Sequence, residues 1–123
     1  GPSRDWVYSV TIDEENPRII YAATNSNGLY KSENRGESWE RLSTFAPEKV
    51  VIDPRARDTL YAASFGTGVY KSVDGGRTWE PRNLGLTVTR LNDITIARDT
   101  GRLYIATAGA SVWFSDDQAE TWQ

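Results

Sequence analysis

The sequence predicts an all-β fold made of three similar four-stranded units, and three observations carry that expectation. An eight-residue phrase recurs: Ser-Val-Asp-Gly-Gly-Arg-Thr-Trp at 72–79, with looser copies Ser-Glu-Asn-Arg-Gly-Glu-Ser-Trp at 32–39 and Ser-Asp-Asp-Gln-Ala-Glu-Thr-Trp at 115–122. Its tryptophans, Trp39, Trp79 and Trp122, stand 40 and 43 residues apart, a spacing typical of repeat architectures. The segments between the copies are short, β-branched and aromatic, and bounded by turn residues, which favours strands. No stretch carries apolar residues at i, i+3, i+4 and i+7 over three turns, so essentially no helix is expected.

Each unit opens on a short apolar strand: Val10-Thr11-Ile12, Val50-Val51-Ile52 and Ile94-Thr95-Ile96. A turn follows at Asn16-Pro17-Arg18, Asp53-Pro54-Arg55 and Arg98-Asp99-Thr100-Gly101. Proline presets φ for such turns and glycine supplies φ > 0. The second strand is Ile20-Tyr21-Ala22-Ala23-Thr24, then Leu60-Tyr61-Ala62-Ala63-Ser64, then Leu103-Tyr104-Ile105-Ala106-Thr107. After a small loop comes the third strand, Leu29-Tyr30-Lys31-Ser32, Val69-Tyr70-Lys71-Ser72 and Val112-Trp113-Phe114-Ser115. The acidic phrase is then a hairpin turn, and a fourth strand is expected to start at each tryptophan, over 39–42 and 79–82 and at the start of the same strand by Gln123. Four short antiparallel strands per unit describe one propeller blade. The expected divisions are a leader at 1–5, then blades at 6–43, 44–83 and 84–123. Small residues such as Ala22, Ala23, Ala62, Ala63 and Ala106 suit sheets that pack closely.

The pattern Ser-x-Asp-x-Gly-x-Thr-Trp resembles the Asp-box, or BNR repeat, of sialidases, sortilin-type receptors, some xyloglucan-degrading glycoside hydrolases and photosystem II assembly factor-like propellers. The resemblance runs from Trp6 to Gln123. It places Ser32, Asn34, Gly36 and Trp39 in the first motif, Ser72, Asp74, Gly76, Thr78 and Trp79 in the second, and Ser115, Asp117, Thr121 and Trp122 in the third. Asp74 and Asp117 read as turn braces that accept backbone N–H groups, in preference to catalytic acids or calcium ligands. The resemblance also implies that these turns lie on the side of the propeller away from any substrate. Asn34 departs from the Asp and Ala119 from the Gly. If position 119 needs φ > 0, the alanine costs about 1 kcal/mol.

Composition excludes several chemistries. The 123 residues contain no Cys and no His, so there is no thiolate, no imidazole base and no His-ligated metal. No cofactor or metal is expected. The 14 basic and 17 acidic residues are well mixed, so a nucleic-acid partner is not expected, and no apolar run nears the length of a membrane span. A sialidase-like site would need an arginine cluster and an Arg-Ile-Pro start, of which Arg18-Ile19-Ile20 is only an echo. No convergent carboxylate pair stands out, and Asp13-Glu14-Glu15 reads as a solvated loop. The chain is therefore expected not to be an enzyme.

Ligands of propellers meet the face built from the loops joining strands two and three and the loops joining blades. Here those loops hold Asn25, Asn27, Phe65, Thr67, Phe45, Arg90 and Asn92, the candidate binding residues for a protein or glycan. Phe65, whose counterparts are Asn25 and Ala108, reads either as a stacking platform or as a locally packed loop residue. The connection from Trp79 to Ile94 is longer than its counterpart from Trp39 to Val50 and is expected to protrude at 81–91.

Three blades are fewer than the four to eight of a closed ring. An open arc would leave two apolar blade faces bare. The expectation is closure by self-association, two copies head to tail giving six blades in preference to three giving nine, and in preference to a monomeric fragment that lacks its partner segment. Residues 4–8 are expected to extend or pair at the last blade of a neighbouring copy. Gly1-Pro2-Ser3 resembles a tag scar, and the ends suggest an engineered or excised segment. The expected role is that of a structural and interaction scaffold. The alternative is part of a carbohydrate-binding or glycoside hydrolase propeller whose catalytic residues lie in missing blades. The resembling families point to an extracytoplasmic or organellar parent.

Overall fold

The computed structural model describes residues 7–24, 27–86, 90–109 and 111–123. Eleven strands form three separate antiparallel sheets, with no helix among the described residues. The first sheet runs β1 (Val7–Ile12), β2 (Ile20–Thr24), β3 (Leu29–Ser32), β4 (Glu40–Ser43). The second runs β5 (Lys49–Ile52), β6 (Leu60–Ser64), β7 (Gly68–Ser72), β8 (Glu80–Pro81). The third holds β9 (Leu91–Ile96), β10 (Leu103–Thr107) and β11 (Ser111–Ser115). In each sheet sequence neighbours pair, so every blade is a simple meander.

The third blade carries the start of its fourth strand. Gln123 and Phe114 exchange both backbone hydrogen bonds, at 2.9 and 3.0 Å. This is the register in which Lys31 faces Glu40 and Lys71 faces Glu80. The fourth strands begin one residue later than expected, because each tryptophan still belongs to the turn. β8 is short because Pro81 brings no N–H to the ladder. The first strand reaches further back than expected: Val7 and Tyr8 continue β1 along β2 in their own blade. The pairing expected of residues 4–8 with another copy thus has two residues engaged at home, while 4–6 lie outside the described residues.

Period-2 alternation makes both faces of each middle strand useful. In β2, Tyr21 and Ala23 point to one face and Ile20 and Ala22 to the other. The apolar core lies between blades, not within them. One cluster joins Tyr21, Ala23 and Leu29 of the first blade to Val50, Leu60 and Ala62 of the second. The other joins Val51, Tyr61, Ala63 and Val69 of the second to Ile94, Leu103, Ile105 and Trp122 of the third. The alanines let the sheets approach, and the tyrosines fill the remaining width. Burial, then the nearby Asp58, Asp13 and Glu33, pushes the Tyr21 phenol up to about 12. Lys31 and Lys71 hold their ammonium groups 5.7 and 5.8 Å from the Tyr21 and Tyr61 ring centres, laying their stems over the seam.

β1, β5 and β9 lie side by side along the inner edge. The Ser9 and Thr11 hydroxyls donate to the Glu48 and Val50 carbonyls, at 2.9 and 2.6 Å. Lys49 pairs with Asp93 at 2.7 Å. The meander then fixes two ends of the arc. The turns between first and second strands and the repeated acidic turns share one end. The loops between second and third strands and the blade connections share the other.

Candidate functional site

The repeated turn is built the same way three times. The Ser72 hydroxyl accepts from the Gly76 N–H at 2.9 Å and donates to Asp74 at 2.7 Å. Asp74 Oδ1 accepts the Arg77 and Thr78 N–H groups at 3.0 and 2.9 Å, and Oδ2 accepts the Thr78 hydroxyl at 2.5 Å. Asp117 takes the same bonds from Ser115, the Thr121 N–H and the Thr121 hydroxyl. In the first blade Asn34 Oδ1 accepts the Ser38 N–H, and its Nδ2 reverses the last bond by donating to Ser38 at 2.7 Å. Two successive residues in each turn have positive φ: Arg35 and Gly36, Gly75 and Gly76, Gln118 and Ala119. Ala119 adopts φ 69°, so the condition for its backbone cost is met.

These bonds keep Asp74 and Asp117 ionised, so neither holds a proton to donate near neutral pH. The Thr78 hydroxyl and N–H, helped by Ser72 and Arg77, hold Asp74 down at about 2. The Thr121 hydroxyl and N–H, with Ser115, do the same for Asp117. Both folded values lie below the value of about 3.9 for an unfolded Asp, so the stabilisation is whole above pH ~4 and lost as pH falls toward ~2. Asn34 does not titrate. Urea midpoints at about pH 6 and about pH 2.5 are expected to differ less in Asp74→Asn/Asp117→Asn than in the parent chain. An equal loss in both would refute the brace as the source of that acid sensitivity.

The candidate binding residues fall at the loop end opposite these turns, but they do not converge. Phe65 is half-buried against the cluster between the second and third blades. Its N–H donates to Glu48 Oε1 at 2.5 Å and its carbonyl accepts the Leu91 N–H at 2.8 Å. The Arg90 carbonyl accepts the Ala108 N–H at 2.9 Å, so Phe65 and Arg90 belong to one stitched patch. Thr67 is exposed, with its hydroxyl bonded to Ser64 and Tyr70. Asn27 and Asn92 are exposed, and Asn25 lies outside the described residues. Phe45 sits one seam away, with ring centres 4.7 Å from Tyr70 and 5.4 Å from Trp79. It serves as packing between the first two blades.

The expected protrusion at 81–91 is tied down through its first half. Asn83 Oδ1 accepts the Val69 N–H at 2.8 Å, and the Leu84 carbonyl accepts the Trp122 N–H at 3.0 Å. Residues 87–89 lie outside the described residues.

Sequence reasoning overlooked a cleft of about 670 Å³ along the inner strands. Its walls are Val10, Ile12, Ile52 and Ile96, and its rim carries Asp13, Glu14, Glu15, Lys49, Arg57 and Arg98. Asp13 is buried, which corrects its reading as part of a solvated loop. Its Oδ1 accepts the Glu15 and Asn16 N–H groups, a local brace that Asp53 repeats toward Arg55. Arg57 reaches Glu15 at 2.6 Å and Asp13 at 3.6 Å, and Arg98 pairs with Glu14 across the cleft. The rim holds three cations and three anions, so it presents no net field to steer a charged ligand. Among the described residues no group of three or more His, Cys, Asp or Glu side chains is placed to hold a metal ion.

The two terminal blade faces expose apolar side chains that the internal seams bury. Val10 is 58% exposed, whereas its counterparts Val50 and Ile94 are 1% exposed. Val112 is 69% exposed, whereas Leu29 and Val69 in the same position are fully buried. The difference is not in residue type but in whether a blade stands alongside.

Solved structures share this architecture. The GH74 xyloglucanase of Xanthomonas campestris superposes with a TM-score of 0.78 at 20% identity, over 95% of this chain and 23% of that one. YCF48 from Cyanidioschyzon merolae gives 0.80 at 14% identity, over 100% and 38%. YCF48 bound to D1 peptide gives 0.75 at 16% identity, over 99% and 40%. The chain thus spans between about a quarter and two-fifths of those proteins, and the likeness establishes β-propeller blades as its fold. No protein-family model and no curated protein matches the sequence.

Proposed function

We propose that the chain is a non-enzymatic Asp-box propeller module that acts as a structural and interaction scaffold by associating into a closed ring, two copies supplying six blades. The observation that carries the reading is the pair of bare terminal faces. Each has the residue types that the two internal seams bury, and apolar faces of that kind mark association surfaces. The carboxylates of the repeated turns are consumed by their own hydrogen bonds, which supports a bracing role over acid catalysis. The loop end carrying Phe65, Thr67 and Arg90 is then the face open to a protein or glycan ligand. One similar structure is described as bound to a peptide and another as a xyloglucanase. Among the described residues no arrangement of side chains favours hydrolysis.

Absolute mass by light scattering across a dilution series tests the proposal. A stable mass of two or more chains is the expected result. A folded single chain at every concentration would overturn it. Release of reducing sugar from xyloglucan by the purified chain would overturn the non-enzymatic part.

A further inference from the structure

We propose that the occupant of both bare faces is a second copy of this chain, seated head to tail, so that the third blade of one copy lies against the first blade of the next. The inference rests on the self-association reading and adds the orientation and the contact residues.

The chain shows twice how its blades stack. At both internal seams the side holding Tyr21, Ala23 and Leu29, or Tyr61, Ala63 and Val69, receives the side holding Val50 and Leu60, or Ile94 and Leu103. The third blade ends in the receiving side, with Tyr104, Ala106 and Val112 in those positions. The first blade begins with the inserting side, with Val10 and Ile20 in those positions. The two bare faces are therefore complementary halves of a third seam.

The repeated turn gives the stacking its direction. A Cβ on Gly76 would come within 3.0 and 3.2 Å of Leu42 and Leu29 of the first blade, besides 3.2 Å of Leu60 of its own, because this turn leans on the preceding blade. Ala119, at the same position, is fully buried against the second blade. A Cβ on Gly36 would meet only Trp39 and Ile20 of its own blade, at 3.6 and 4.0 Å. Its leaning side is open. Two inserting sides placed face to face would set two projecting turns against each other. A receiving side offers each turn the surface that the internal seams provide. The polar stitch repeats as well. The Thr11 hydroxyl donates to the Val50 carbonyl across the first seam. Thr95, exposed at the same register of β9, is set to donate to the Val10 carbonyl of the next copy. Such a heterologous contact closes a ring when its rotation closes.

Val10→Glu and Val112→Glu test the orientation, because each replaces a side chain that is exposed in the single chain. Masses would be measured for each variant alone and for an equimolar mixture, with the near-ultraviolet tryptophan signal as the check on folding. The parent is expected at two or more chains and each variant at one. The mixture is expected at two chains and no more, because the intact inserting side of Val112→Glu can seat on the intact receiving side of Val10→Glu. Recovery of mass in the mixture also shows that both variants are folded. If one substitution alone lowers the mass, if neither does, or if the mixture stays at one chain, the head-to-tail seam and with it the closed ring are wrong, while self-association stands. A parent that is a single chain at all concentrations overturns both.

Discussion

Trp122→Ala is expected to destabilise the chain by about 3–5 kcal/mol, with the third blade releasing first. Trp122 is buried in the cluster between the second and third blades. Its indole N–H donates to the Arg82 carbonyl at 2.7 Å and its backbone N–H to the Leu84 carbonyl at 3.0 Å. One side chain thus contributes apolar area to the seam and also fastens the outer edge of the second blade. The other two tryptophans spend their indole N–H locally, on the Gly36 and Gly76 carbonyls of their own turns. Trp39 is half-buried, with no blade of its own chain on its outer side. The same change at Trp39, made alongside Val10→Glu so that no second copy covers it, is expected to cost only about 1–2 kcal/mol. Urea unfolding gives the magnitudes, and hydrogen exchange of the β9, β10 and β11 amides shows which blade opens. Equal losses at the two positions would contradict the seam as the source of stability.

Gly28→Ala is expected to cost about 3 kcal/mol or more, a backbone effect instead of a packing one. Gly28 has φ 96° and a Cβ there would lie 1.9 Å from the Ser43 carbonyl oxygen. The obstacle is main chain, in a region where the register of β3 on β4 shifts, so it cannot rotate aside. Gly68 occupies the same place in the second blade, with φ 114°, but there a Cβ meets the Asn83 side chain at 2.4 Å. Gly68→Ala should therefore be milder, paying the positive φ and the displacement of Asn83 from the Val69 N–H. In the third blade the position is Ser111, which is exposed and pairs with no fourth-strand residue among the described residues. Thermal unfolding of the two alanine variants in parallel would test the ranking. A Gly28→Ala variant as stable as the parent would show that the fourth strand does not hold the position seen.

The blades were legible because strand patterning is local. Alternation in Ile20-Tyr21-Ala22-Ala23, a turn chemistry with one solution, and repetition of both at a near-constant period leave little freedom in the meander. The bonding of Asp74 was equally readable, since its partners lie within four residues. The candidate ligand face was legible only as a set of loops at one end. Nothing local tells Phe45, which packs on Tyr70 and Trp79, from a loop aromatic free to stack on a ligand. Asp13 looked solvated beside Glu14 and Glu15, because its burial depends on the neighbouring blade and on Arg57, more than forty residues away.

What the sequence determined by itself is thus the blade: its strands, its turns and which residues share a face. Sheet geometry sends alternate side chains to opposite sides whatever stands beside them. What only the tertiary structure decided is the value of each face. Val10 and Val50 are the same residue in the same strand of successive repeats, and one is exposed while the other is buried. Burial comes from a neighbouring sheet closing over a face, and no alternation within a strand records whether that neighbour is there.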